Sequence, residues 1–220
     1  MNTSRRYLIT AIASAIFAVA SYADTRLVIW DGFNTVTIDD NVGPDTNPLA
    51  GFINYSGIIG DWNVAYTAGI VVQGGSSPVL DLGGSVLSNA NANGTLNMWF
   101  LSNDFGPSAN PSGYSGVMTG SSTANSFYYG IGYNTSNQIT SGTWASGSPV
   151  YSSTLPINVN GTFPGGTLYG LNEQLGITAR GASFTSFDAY ATVPDSASTA
   201  LMIGLGLLGL GLAARRNKVA

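Results

Sequence analysis

Carboxylates and large aromatic rings are the side chains through which this 220-residue chain could do chemistry, because the usual catalytic groups are missing. There is no histidine and no cysteine, which removes Ser-His-Asp triads, cysteine nucleophiles and the preferred ligands of zinc. The only lysine is Lys218, near the C-terminus, so a Ser-Lys dyad within the main body fails as well. No glycine-rich loop followed by Lys-Ser or Lys-Thr is present to cradle a phosphate. Glu173 is the sole glutamate, and it interrupts an apolar face made by Tyr169, Leu171, Leu175 and Ile177. Glycoside hydrolysis needs two carboxyls flanking a bond, one with a raised pKa, and an inward Glu173 would suit that role. The expectation is instead a β-bulge that turns Glu173 outward, or a structural ion pair with Arg26 or Arg180.

Two binding chemistries remain. Asp39, Asp40, Asn41, Asp45, Thr46 and Asn47 gather oxygen ligands of the kind a hard cation takes. Gly43 and Ala50 fall where an EF-hand needs ligands, and Asp and Asn are also ordinary turn residues whose side chains bond the local backbone. No metal or cofactor is expected. The second chemistry is carbohydrate recognition, in which exposed aromatics stack on sugar rings beside Asn, Asp and Gln. Trp30, Trp62, Trp99, Trp144, Tyr128, Tyr129 and Tyr133 are available for it. Core packing is the default for each, since sandwich interiors are filled with large aromatics.

The elements that must position these groups read as strands. The body is rich in Gly, Ser, Thr and Asn and poor in Glu, Lys and Gln, against helix by propensity. Short β-favouring runs recur at residues 27–30, 35–38, 51–56, 62–67 and 69–73, with turns at Gly60-Asp61 and Ala68-Gly69. Residues 95–101 alternate most clearly, with Leu96, Met98 and Phe100 on one face and Asn97 and Trp99 on the other. Residues 126–133, the stretch around 169–177, and 183–193 complete the strands, while 103–123 and 135–153 read as long polar loops or irregular hairpins. The prediction is an all-β, antiparallel β-sandwich over residues 24–192.

Both ends look like address labels. Arg5 and Arg6 precede an apolar stretch over residues 7–20, and Ser21-Tyr22-Ala23 places small residues before a cut. This predicts a signal peptide over residues 1–23 with cleavage before Asp24, or after Ala20. Ser4-Arg5-Arg6-Tyr7-Leu8-Ile9 also loosely resembles a twin-arginine signal. At the other end, Val193-Pro194-Asp195-Ser196 is followed by an uncharged, glycine-containing run over residues 200–214 and then Arg215, Arg216 and Lys218. As a helix that run covers roughly 22 Å, near membrane-spanning length once residues 197–199 are added. The basic stop would stay in the cytoplasm and leave the preceding domain outside. Between residues 24 and 192, Arg26 and Arg180 face nine aspartates and Glu173, so two minus ten gives a net charge of −8. That excludes a basic nucleic-acid footprint.

The motif, apolar helix and basic stop together resemble the sorting tails of exosortase substrates, the PEP-CTERM class, in the variant named for Val-Pro-Asp-Ser-Gly. Val193, Pro194, Asp195 and Ser196 match that motif, and Ala197 stands where the variant has glycine. The body is similar to the globular part of some PEP-CTERM proteins at Asp31-Gly32 and at residues 77–82 and 183–188. The resemblance implies three domains: signal peptide 1–23, exported domain 24–192 and sorting signal 193–220. It implies passing inner-membrane retention and then processing by an exosortase-like membrane protease or transpeptidase. The expectation is a non-enzymatic surface or extracellular-matrix protein, with a carbohydrate-binding module acting on exopolysaccharide as the alternative.

Overall fold

The computed structural model describes residues 24–72, 79–106, 112–139, 145–146, 149–164 and 168–193. The expected signal peptide, the tail beyond Val193 and Trp144 lie outside the described residues. In chain order the strands are β1 (Thr25–Trp30), β2 (Thr35–Asp39), β3 (Phe52–Ile59), β4 (Trp62–Val72), β5 (Val79–Ser88) and β6 (Asn93–Phe105). They continue with β7 (Ser112–Ser122), β8 (Ser126–Asn134), β9 (Ala145–Ser146) and β10 (Val150–Ser152). The last are β11 (Ile157–Phe163), β12 (Tyr169–Arg180) and β13 (Ser183–Thr192). Sheet A has the order β10-β8-β12-β6-β1-β2, with β9 also on β8, and sheet B the order β11-β7-β13-β5-β4-β3. Every pairing is antiparallel.

The all-β architecture is therefore as the turn-punctuated sequence predicts, and period-two alternation sets its core. Leu27 and Ile29 of β1, Leu96, Met98 and Phe100 of β6, and Leu171, Leu175 and Ile177 of β12 are fully buried. Leu80 and Leu82 of β5 and Ala189 and Ala191 of β13 face them from sheet B. Each large side chain taken fully from water contributes about 1.5–3 kcal/mol. At one end Phe105, Tyr169, Phe163 and Tyr133 form a chain of rings with centroids 5.0–5.8 Å apart.

The sheets fit by pairing large with small. A Cβ on Gly69 would sit 2.3 Å from the Phe100 ring, and one on Gly116 would sit 2.6 Å from Ile131 and 2.7 Å from the Tyr129 hydroxyl. This complementarity corrects two sequence expectations. Ala68-Gly69 is not a turn: β4 runs through it, and Gly69 is the space that Phe100 fills. Residues 103–123 are neither a polar loop nor a local hairpin, because β7 lies within them, pairs with the distant β11 and β13, and points Tyr114, Gly116 and Met118 inward. Residues 135–153, by contrast, carry the short β9 and β10 folded back on β8. The central inward residue of β7 is a glycine, so no apolar alternation marks it. β5 and β11 are two further strands that the turn pattern does not announce.

Candidate functional site

Sheet A turns one face to sheet B; its other face is open at Trp30 and Tyr151 but covered at Leu101, Asn172 and Asn134, and its register sorts the outward residues into rows across the strands. One row runs Thr35 (β2), Trp30 (β1), Asn97 (β6), Gly176 (β12), Tyr128 (β8) and Tyr151 (β10). The next runs Thr37, Val28, Trp99, Gln174 and Gly130 over the first five of those strands. Trp30 and Trp99 are diagonal neighbours and stack with centroids 6.2 Å apart and 29° between planes. Four strands away from Trp30, Tyr151 meets Tyr128 at 5.6 Å. Trp30 is 39 % exposed and Tyr151 73 % exposed, so both ends of the row are open to solvent.

Asn97 joins the two aromatic stations. Its amide donates to the carbonyls of Trp30 (3.3 Å) and Thr95 (3.1 Å), and its Oδ1 accepts from the Tyr128 hydroxyl at 2.8 Å. That reach is possible because residue 176 is glycine: a Cβ there would lie 2.0 Å from Tyr128 Cε1. The ring therefore crosses β12 to its neighbour instead of standing upright. Burial, with a smaller contribution from Tyr151, pushes the Tyr128 pKa up to about 12, so the hydroxyl remains a donor at physiological pH. Beside it Gln174 donates to Asn172 at 3.2 Å. In the following row Arg26 and Asp39 pair with each other. The two aromatic rows contain no charged residue at all. Uncharged rings flanked by amides offer stacking and hydrogen bonding to a neutral, hydroxyl-rich ligand, and no group there can transfer a proton from a carboxyl.

The other candidates resolve differently. Glu173 is neither turned outward nor ion-paired; it lies inside the sandwich at 0 % exposure, between Phe100 and Ile131 of the flanking strands. The ladder runs regularly past it, because the irregularity in β12 falls between Tyr169 and Leu171. Its Oε1 accepts from the Tyr129 hydroxyl at 2.6 Å, and Oε2 has no partner. Burial drives its pKa well above the usual carboxylate range; the Tyr129 bond opposes this and the charges of Asp81 and Asp188 add to it. Arg26 is committed to Asp39, and Arg180 is exposed at the end of β12.

In the acidic loop, Asp45 accepts from the backbone amides of Asn41, Asn47 and Asn54 at 2.9–3.0 Å, and Asp40 accepts from that of Gly51 at 2.7 Å. Its carboxylates tie the β2–β3 connection together. No group of three or more potential acidic metal ligands exists among the described residues.

Of the seven aromatics proposed from sequence, Trp62 and Tyr129 are core, Tyr133 packs half-buried on the core, and Trp30, Trp99 and Tyr128 share the outer face. Tyr151 was not among them, for it sits in a three-residue strand inside a polar stretch. Val193 of the predicted sorting motif is fully buried, directly after β13. Pro194, Asp195, Ser196, Arg215, Arg216 and Lys218 lie outside the described residues. Among the described residues no helix is long and apolar enough to cross a membrane.

No protein family and no curated protein matches the chain. Among solved structures it is similar to the family 11 carbohydrate-binding module from Clostridium thermocellum, bound to a mixed-linked tetrasaccharide. The identity is 11 %, over 76 % of this chain and 95 % of that one, with a TM-score of 0.33. A family 61 carbohydrate-binding module (TmCBM61) in complex with β-1,4-galactotriose gives 9 % identity over 60 % and 88 %, with a TM-score of 0.27. The K1 adhesin domain of Lys-gingipain from Porphyromonas gingivalis W83 gives 12 % over 64 % and 96 %, with a TM-score of 0.33. Likeness this distant carries no ligand or activity over to this chain.

Proposed function

We propose that the chain is an exported, non-enzymatic carbohydrate-binding protein whose platform is the outer face of sheet A. The observation that carries the reading is the row from Trp30 through Asn97 to Tyr128 and Tyr151, where two aromatic pairs flank a hydrogen-bonded amide in an uncharged band. A two-layer sandwich needs one apolar face per sheet. A second face loaded with tryptophan and tyrosine is not required for folding, and aromatics beside amides are suited to sugar rings. The non-enzymatic part of the reading is supported by the placement of Glu173, which is buried in the core away from solvent.

Delivery rests on the two ends. The signal-like residues 1–23 and the Val193-Pro194-Asp195-Ser196 tail support export and sorting by an exosortase-type system. Binding to exopolysaccharide would then hold the domain in the envelope or extracellular matrix. Affinity electrophoresis of the full chain in gels containing neutral polysaccharides tests the first part. Retardation is expected for at least one polysaccharide and should disappear in Trp30→Ala and Trp99→Ala. Equal mobility in every gel would sink the glycan reading. Intact mass of the protein from its native host tests delivery. The expected species begins at Asp24 and ends near residues 193–196, whereas one still ending at Ala220 rules out processing.

A further inference from the structure

The geometry points to a linear, uncharged polysaccharide segment of about four sugar units as the ligand, lying across the strands of sheet A rather than along them; this inference rests on the carbohydrate-binding reading and specifies it. The direction comes from the register. Trp30, Asn97, Gly176, Tyr128 and Tyr151 occupy matched positions on five adjacent strands, so the aromatic stations are displaced across the sheet. Along the strands the aromatic character fades. From Trp99 the outward positions of β6 lead to Leu101 in one direction and through Asn97 to Thr95 in the other, and Thr95 is hydrogen-bonded to Thr178. A ligand following a strand would leave the aromatic surface within one or two residues.

The length follows from strand spacing. Four steps of roughly 4.8 Å separate β1 from β10, which places the Trp30 and Tyr151 backbones about 19 Å apart. A pyranose unit advances a linear chain by a length comparable with one strand spacing, so about four units reach from one station to the other. Between the stations lie the half-buried Gln174 amide and the Tyr128 ring, which the buried Asn97 holds low over Gly176. The middle units would therefore meet hydrogen-bonding groups, and the outer units the aromatic pairs.

The absence of charge selects the ligand class. Neither row holds a cation to meet a uronate or sulfate, and Arg26, in the following row, is occupied by Asp39. The domain as a whole is strongly acidic: Arg26 and Arg180 against nine aspartates and Glu173 give two minus ten, a net charge of −8. Such a field repels a polyanion before contact.

The test uses the full chain in a sugar-free detergent, titrated calorimetrically with neutral gluco-, xylo- and galacto-oligosaccharides of one to six units, and with oligogalacturonates of the same lengths. Affinity should climb at least tenfold between the dimer and the tetramer of the preferred neutral series, then level off. The matched oligogalacturonate should bind at least tenfold more weakly. Trp30→Ala and Tyr151→Ala should each weaken the tetramer about tenfold and the dimer far less, with circular dichroism confirming that both variants fold. Neutral binding that does not depend on length overturns the transverse span while leaving the carbohydrate reading intact. Tighter binding of the oligogalacturonates overturns the charge class. No binding in any series removes the carbohydrate reading, and this inference falls with it.

Discussion

Replacing Glu173 by glutamine should make the sandwich more stable at pH 8 while barely changing it at pH 4. The carboxyl is fully buried on β12, with one hydrogen bond from Tyr129 and one oxygen left bare. Desolvation raises its pKa, the Tyr129 hydrogen bond offsets part of that rise, and the Asp81 and Asp188 carboxylates add to it. Because the folded pKa exceeds the unfolded one, near 4.3, the folded state holds the proton longer. Its contribution to stability is complete below about pH 4.3 and is lost as pH rises towards the folded pKa. In that window one proton is linked to folding, so stability falls by about 1.4 kcal/mol per pH unit. For a domain of this size that corresponds to about 3–5 °C of Tm per unit. Other carboxylates add their own slopes, so the informative quantity is the difference between wild type and Glu173→Gln at each pH. It should be within about 1 kcal/mol near pH 4, where the glutamine amide is no worse a guest than a protonated acid. It should then grow in favour of the variant until the folded pKa is passed. Urea unfolding from pH 4 to 8 measures it. Parallel curves would refute the reasoning, since they require a Glu173 that titrates alike folded and unfolded.

Three further outcomes follow from named contacts. Gly69→Ala drives a methyl into the Phe100 ring and should destabilise by about 1–3 kcal/mol, with Phe100→Leu in the same chain restoring part of it in thermal melts. Asp45→Ala leaves three backbone amides without their acceptor and should cost about 1–3 kcal/mol, with faster proteolysis of the β2–β3 connection but unchanged glycan affinity. Gly176→Ala displaces Tyr128 from Asn97 and should lower tetrasaccharide affinity several-fold more than it lowers stability, read by calorimetry beside a thermal melt.

Strands with large side chains at alternate positions were legible in the sequence. Leu96, Met98 and Phe100 announce β6, and the four apolar residues around Glu173 announce β12. What hid the rest was glycine used as space. Gly69 looks like a turn until Phe100 is seen to fill it, and β7 looks like a loop until Ile131 and Tyr129 are seen to supply bulk from the other sheet. These are long-range facts, and a period count along one strand does not contain them. The site was half legible for the same reason. Trp30, Trp99 and Tyr128 stood out by type, but which of seven aromatics share a face depends on pairing, and turn signals do not pair strands. Glu173 was misplaced because a lone inward acid is costly; the fold buries it without a cation, with one hydrogen bond from Tyr129 and a raised pKa, and carries the cost as the pH-dependent loss of stability worked out above.

The alternation of β12 explains why one strand carries both the core's acid and the middle of the platform. Inward it presents Leu171, Glu173, Leu175 and Ile177, and outward Asn172, Gln174, Gly176 and Thr178. The outward set is wholly amide, hydroxyl or glycine, while the aromatic residues come from the strands beside it. Had β12 carried an aromatic at residue 176, Tyr128 could not cross it, and the face would be a flat sheet of upright rings. Flat aromatic faces match flat ligand surfaces. Here the two aromatic pairs stand apart, joined through the hydrogen bond between Tyr128 and Asn97 and separated by hydrogen-bonding groups. That order, ring then amide then ring, complements a single chain whose units alternate apolar ring faces with hydroxyl edges. On the carbohydrate-binding reading proposed above, it would suit soluble, separated polysaccharide chains better than the surface of a packed crystalline one. A one-residue slip of β12 would bring Glu173 to the surface and bury Gln174, so the register that seals the acid in the core also sets the amide in the outer face of sheet A.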